Sequence, residues 1–296
     1  NISNINYQSD WTQTVVVSSE HGLSGIDVSE DNSIAVGTSS SYANNNKIQS
    51  FKYSSDGDLI FESELISSYI SDFRSGGGIS LTPDGGTVHI GFRDNSFNPI
   101  FAKVDNTGDY DWNTEIDDGS KYGLISAATV DSDGNIIGVG RETANSGNQV
   151  VYKIDSNGDS IWSKTLSPGD LSASTSNTTH TTSILTDSAG NIYLSSDAQN
   201  PGGSHLTSLD QNGNVRWTER IGERGFDTYI AIDESEHIYA IGGSGDLSKF
   251  TTDGETQWSI NLGDESGDWM GIAANPSGVF VAKNKLRSCN AKGKTR

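Results

Sequence analysis

The feature that most constrains this sequence is that it repeats. Aligning its glycine-containing turns gives KYSSDGDLIF at 52–61, KVDNTGDYDW at 103–112, KIDSNGDSIW at 153–162, SLDQNGNVRW at 208–217 and KFTTDGETQW at 249–258. In every copy an aromatic residue follows the turn glycine by four positions: Phe61, Trp112, Trp162, Trp217 and Trp258. A second pattern alternates with the first: DVSEDNSIAVG at 27–37, SLTPDGGTVHIG at 80–91, TVDSDGNIIGVG at 129–140, LTDSAGNIYLS at 185–195, AIDESEHIYAIG at 231–242 and AANPSGVFVA at 273–282. Like copies recur about every 50 residues, the spacing of stacked structural units.

Each copy reads as a strand, a tight Gly/Asn/Asp turn and a second strand rich in Ile, Val and Tyr, which is hairpin grammar and leaves almost no room for helices. One hairpin of each kind makes a four-stranded antiparallel unit, strands a to d, and such units repeated in series are propeller blades. The expected first strands carry small and branched residues (Gly25-Ile26, Gly78-Ile79, Ala127-Ala128, Ser183-Ile184, Ile230-Ala231, Gly271-Ile272), as strands crowded around a common axis require. Six hairpins of the a/b kind occur but only five complete ones of the c/d kind, and the two chain ends supply the difference. SDWTQTVVV at 9–17 matches strand d, with Trp11 in the place of Trp112, and NKLRSC at 284–289 resembles the strand c sequence NKIQSF at 46–51. The expectation is an all-β, six-bladed β-propeller forming one domain over 1–296. Its blades fall near 24–65, 77–116, 125–166, 181–221, 229–262 and 270–292 plus 8–17, the last closed by both termini so that no open sheet edge is left there.

The a/b hairpins, DSDGNIIGVG above all, resemble the bacterial beta-propeller repeat family, and turn-then-Trp segments such as DSNGDSIW are more loosely similar to quinoprotein-like propeller repeats. The resemblance covers nearly the whole chain and implies the fold. It does not imply one function, because such propellers include enzymes, scaffold subunits, lectins and adhesins. Pyrroloquinoline quinone enzymes add a metal-ligating acid and amide, a ring-clamping Trp and often a vicinal cysteine pair. The single Cys289 excludes that pair, and no cofactor site carries over.

Composition then removes function classes. Acidic residues outnumber basic ones 39 to 19, a net charge of −20, which repels nucleic acid and anionic membrane surfaces. Hydrophobic residues make up 32% of the chain, below the ~45–50% of typical soluble domains, yet 6 Trp, 10 Tyr and 9 Phe argue for a folded core. No stretch is long and apolar enough to insert in a membrane. The segment from Lys283 to Arg296 carries six basic residues and no acids, and is read as strand c of the closing blade with a basic turn. Ser/Thr/Asn-rich stretches such as SSSYANNN and SASTSNTTH favour an extracellular, cell-surface or virion setting.

Most acidic residues lie in the hairpin turns. Asp131-Ser132-Asp133-Gly134-Asn135 alternates oxygen ligands like a calcium loop, but its glycine is at the fourth place, and a capped turn with a left-handed glycine is the expected reading. The recurring aromatic residues read as packing, and Trp162 is expected between blades. His89, His205 and His237 read as structural or exposed, on or beside outer strands.

The a–b and c–d turns are short and alike, whereas the b–c and d–a connections differ from one another: 38–46, 92–99, 141–148 and 195–204, with 67–76, 117–124 and 167–180. These two kinds of connection emerge at opposite ends of an antiparallel blade, and loops on a rigid scaffold are where binding is usually placed. The candidate ligand- or partner-binding residues at that end are His21, Arg74, Arg93, Tyr122, Arg141, His180, Asp227, Asp268 and Trp269. A metal shared by His21 and His180 with Asp227 or Asp268 needs convergence across a channel and is not expected. No GxSxG, HExxH or phosphate-loop motif is present, and no catalytic residue is assigned. The reading is a recognition or assembly module for a protein or carbohydrate partner, without nucleic acid, membrane insertion or cofactor. The alternative is a propeller enzyme, a hydrolase, lyase or oxidoreductase, with its site at the channel mouth.

Overall fold

The computed structural model describes residues 21–290 apart from 30, 41–46, 67–77, 93–97, 118–121, 143–147, 168, 172–180, 182, 200–201, 224–227, 264–270, 276–277 and 283–286. Every element among the described residues is a strand. Sheet one is β1 (His21–Val28), β2 (Ile34–Ser40), β3 (Lys47–Tyr53) and β4 (Leu59–Ile66), in that order. Sheet two is β5 (Ile79–Leu81), β6 (Thr87–Phe92), β7 (Pro99–Val104) and β8 (Tyr110–Glu115). Sheet three is β9 (Tyr122–Val130), β10 (Ile136–Glu142), β11 (Gln149–Ile154) and β12 (Ser160–Leu166). Sheet four is β13 (Ile184–Thr186), β14 (Ile192–Gln199), β15 (Gly202–Leu209) and β16 (Val215–Gly222). Sheet five is β17 (Tyr229–Ile232), β18 (Ile238–Ile241), β19 (Asp246–Phe250) and β20 (Thr256–Asn261). Sheet six has three described strands, β21 (Gly271–Asn275), β22 (Gly278–Ala282) and β23 (Arg287–Asn290). Neighbouring strands pair antiparallel, as in Ile230↔Ala240 and Ala240↔Ser248 of sheet five.

The chain divides into two compact units, one of residues 6–144 and 152–163, the other of 1–5, 145–151 and 164–296. Trp11 and the segment 9–17, assigned from the sequence to the closing strand, lie outside the described residues.

Middle strands such as β7 and β11 are buried on both faces, which is why their sequences show no period-two alternation. All six residues of β7 and of β11 are buried. Outer strands keep one face in solvent: β8 and β12 are largely exposed. The first strands adjoin closely. A Cβ on Gly25 would stand 3.0 Å from the Ile79 amide nitrogen, so the small residue expected there is demanded by the approach of β5. The Leu81 amide donates to the Asp27 carboxylate at 2.8 Å, and burial pushes that carboxyl above its ordinary range.

The glycine-to-aromatic spacing has one physical cause. Each c–d turn glycine takes a positive φ (Gly57 85°, Gly108 92°, Gly158 89°, Gly213 79°, Gly254 88°), and at Gly108, Gly158 and Gly254 the aromatic of the preceding sheet lies on it. A Cβ would stand 2.9 Å from Phe61 at Gly108, 2.9 Å from Trp112 at Gly158 and 2.8 Å from Trp217 at Gly254. The indoles also donate to the same turns, Trp112 to the Ser156 carbonyl at 3.1 Å and Trp217 to the Thr252 carbonyl at 3.0 Å. Phe61 is buried, but Trp112, Trp162, Trp217 and Trp258 are only half-buried, so the burial expected for Trp162 is partial. An indole over a surface turn keeps its outer edge wet.

Candidate functional site

The two ends of each sheet are built from different chemistry. At the tight-turn end the carboxylates fold their own backbone. Asp131 accepts from the Asp133 and Asn135 amides at 3.0 and 2.8 Å, and Asp155 and Asp210 repeat the pattern with the amides two and four residues on. The Asp159 amide holds the Asp155 carboxyl below the usual range, and at Asp105 the Thr107 hydroxyl, followed by the Thr107 amide, does the same. The capped-turn reading fits this geometry.

A lysine heads the c/d repeat in all but one copy, a regularity the sequence displays and whose purpose the structure supplies. Lys103 and Lys153 are buried and pair with the a–b turn carboxylates Asp84 at 2.5 Å and Asp131 at 2.9 Å. Lys249 lies 3.9 Å from Asp233 and over the Tyr239 ring, and Lys52 donates to the Gly85 carbonyl at 2.7 Å. Sheet four has Ser208 in the lysine position. There Arg216 reaches in from β16, donating to Ser208, the Thr252 carbonyl and Asp253. The repeat's buried charge therefore ties one turn to another.

The opposite end is irregular and polar. Thr181 donates to the Gln149 side-chain oxygen, and the buried amide nitrogen of Gln149 has no partner among the described residues. Thr228 bonds Asp197, a buried carboxylate, while the Ser195 hydroxyl donates to the Thr228 carbonyl at 2.9 Å. Ser196, His205 and Arg220 stand side by side across β14, β15 and β16. His205 is buried, and desolvation together with the Arg220 charge holds its imidazole below the ordinary histidine value, so it is neutral near pH 7. His89 is buried on β6 and bonded to Ser50 at 2.6 Å, with burial lowering its pKa to about 3. Both histidines therefore sit on second or third strands, inward of where the sequence suggested; His237 lies by an a–b turn, 3.2 Å from Asp233.

The 195–204 segment differs from its expected form. It is not a long loop: β14 and β15 stay paired as far as Gln199↔Gly202, leaving only residues 200–201 as the connection. Its serines look loop-like in sequence, but they are buried strand residues, and Ser195 is bonded across to Thr228. The b–c connection of sheet five is similarly short, with Gly245 at φ 82°.

Of the nine candidate residues, three fall on strands. His21 opens β1 opposite Ser40, Tyr122 opens β9 opposite Glu142, and Arg141 lies near the end of β10 opposite Gly123. All three register positions are at the loop end, and the Arg141 side chain is half-buried. Arg74, Arg93, His180, Asp227, Asp268 and Trp269 lie outside the described residues. Among the described residues no group of three or more His, Cys, Asp or Glu side chains is placed to hold a metal. None of them forms a helix long and apolar enough to cross a membrane.

No protein-family model matches the chain, and no curated protein matches it by sequence. Solved structures do. A catalytically inactive virginiamycin B lyase from Staphylococcus aureus, with quinupristin, is similar over 95% of this chain and 85% of its own, with a TM-score of 0.64 and 12% identity. BamB from Moraxella catarrhalis is similar over 93% and 75%, with a TM-score of 0.51 and 14% identity. A protein of unknown function from Bacteroides caccae is similar over 88% and 91%, with a TM-score of 0.52 and 12% identity. The lyase and BamB are propeller proteins, and the four-stranded antiparallel sheets described above share that fold.

Proposed function

We propose that this chain is a non-catalytic recognition or assembly module that binds a protein or glycan partner at the loop end of its sheets. The observation that carries the reading is the division of labour between the two ends. Turn carboxylates, strand c lysines and d-strand aromatics are engaged in folding the tight-turn end, whereas sequence individuality is concentrated in the connections at the other. There the candidates Arg93, Arg141, Tyr122 and Trp269, with His21, Arg74, His180, Asp227 and Asp268, mix aromatic and Arg side chains with polar groups, the types that dominate binding hot spots and that stack on sugars. The charge of −20 favours a neutral or cationic partner.

The proposal includes the architecture: one domain of six blades, the last completed by 9–17 beside β23. Sheet six has three described strands where the other five have four, and the Trp11 segment has the sequence of an outer strand. A secreted, cell-surface or virion location goes with the Ser/Thr/Asn-rich connections.

The test is a glycan and peptide array probed with the wild-type protein and two triple variants. Arg93→Ala/Arg141→Ala/Trp269→Ala is expected to lose the binding that Asn106→Ala/Ser156→Ala/Glu234→Ala, on the tight turns, retains. Loss only from the tight-turn variant overturns the reading. Turnover of a small molecule that requires His180 or Asp227 replaces it with a propeller enzyme.

A further inference from the structure

A second surface lies at the other end, on the unit of residues 6–144 and 152–163. Leu59 (52% exposed), Ile60 (48%), Tyr110 (54%) and Ile161 (50%) stand at the first two places of the outer strands of sheets one, two and three. Isolated exposed apolar residues are normal. These are not isolated in the repeat. Leu59 and Tyr110 share one place of the repeat and Ile60 and Ile161 the next, with Asp111 and Ser160 at the remaining places of sheets two and three, and the contacts of Phe61 with Gly108 and of Trp112 with Gly158 bring the outer strands of sheets one and two against the next turn. Nor does the fold need them: sheet five has Thr256 and Gln257 at the same two places.

The surroundings identify what would cover this rim. The exposed carboxylates Asp56, Asp58, Asp109, Asp111 and Asp159 border it, and β4 adds Glu62 and Glu64. The nearby strand c lysines are buried: Lys52 and Lys153 turn to a carbonyl and a carboxylate of the a–b turns, while Lys103, paired with Asp84, also lies 3.6 Å from Asp111 and offsets that one carboxylate in part. Each of these outer strands is also the last strand of its described sheet, the position at which sheets take a further strand. β4, LIFESELI, carries neither Pro nor Lys, two of the usual guards against edge pairing.

We infer that this rim docks a basic, amphipathic polypeptide segment, whose apolar side chains cover Leu59, Ile60, Tyr110 and Ile161 while its cations meet the turn carboxylates. With the loop end bound elsewhere, such a surface would let the module bridge two partners. The inference stands independently of the loop-end reading.

The experiment uses the whole chain and a synthetic heptapeptide alternating Lys and Leu, with its Glu–Leu counterpart as control, in a calorimetric titration at low and high salt. The Lys–Leu peptide is expected to bind, and the Glu–Leu peptide not to. Leu59→Thr/Ile60→Gln/Tyr110→Thr/Ile161→Gln should weaken binding about ten-fold or more without lowering the unfolding temperature, since sheet five shows that the fold accepts Thr and Gln there. Asp109→Asn/Asp159→Asn should reduce the salt dependence. The Arg93→Ala/Arg141→Ala/Trp269→Ala variant should bind the peptide like wild type, which separates this surface from the loop end. Unchanged binding in the four-residue variant overturns the inference. So does self-association of the wild type that this variant abolishes, because the rim would then be a contact between copies of the chain.

Discussion

The tight-turn end and the loop end of the same sheets show two ways of burying polar groups. At the tight-turn end the solution is repeated: a carboxylate caps its own turn and takes a lysine from the third strand, as Asp131 does with Lys153. At the loop end each junction is individual, with Thr181 on Gln149 in one place and Thr228 on Asp197 in another. A repeated solution propagates a fold. An individual one permits a site without disturbing the neighbouring sheets.

The difference can be broken most forcefully at a buried ion pair. Lys153→Met leaves the Asp131 carboxylate without its cation and should cost about 3–5 kcal/mol in denaturant unfolding. Because the Asp131 carboxyl is held below its ordinary pKa, what it contributes is present above the unfolded value and lost as pH falls through the folded one. Wild type should therefore lose more stability than Lys153→Met on acidification through the carboxylate range.

Phe61→Ala should follow, at about 3 kcal/mol, since the ring is buried against Gly108 and the cluster of Ile48, Ile100, Ala102 and Val104. Gly254→Ala combines a positive φ with a clash against Trp217, and a loss of about 2 kcal/mol is expected from thermal unfolding. Gly263→Ala shares the positive φ but meets nothing within 4 Å, so it should cost less. Equal losses would mean that the aromatic contact contributes nothing.

His89 sharpens the comparison through pH. Its folded pKa of about 3 lies below the ordinary 6.5, so between those values the unfolded chain takes up a proton that the folded chain refuses. Stability should fall on acidification by up to roughly 1.4 kcal/mol per pH unit from this group. His89→Gln should remove that slope, whatever it does to stability at pH 7. The smallest expected effect is at the loop end, where Arg141→Ala should change stability by less than about 0.5 kcal/mol.

The legible part of the sequence was the part with local causes. A glycine in the left-handed region, an aspartate two and four residues before the amides it caps, and an aromatic four residues after the glycine all fall within one short window, so the hairpins and their alternation can be read directly. Ser195, Ser196 and Asp197 were not legible as strand because their satisfaction is remote: Ser195 bonds Thr228 of the next sheet, and strands buried on both faces show no alternation to mark them. Arg141, His21 and Tyr122 could be placed at the loop end from topology alone. Which side chains converge there depends on connections whose lengths and sequences share no pattern.

Hydrogen exchange with and without a ligand selected from the array tests the division between the two ends most directly. The account predicts that binding slows exchange at the loop-end termini of the strands, around Arg141, Tyr122 and His21, and leaves the a–b turns at Asp131–Asn135 and Asp187–Asn191 unchanged. Protection centred on those turns, with the loop-end termini unaltered, would contradict it.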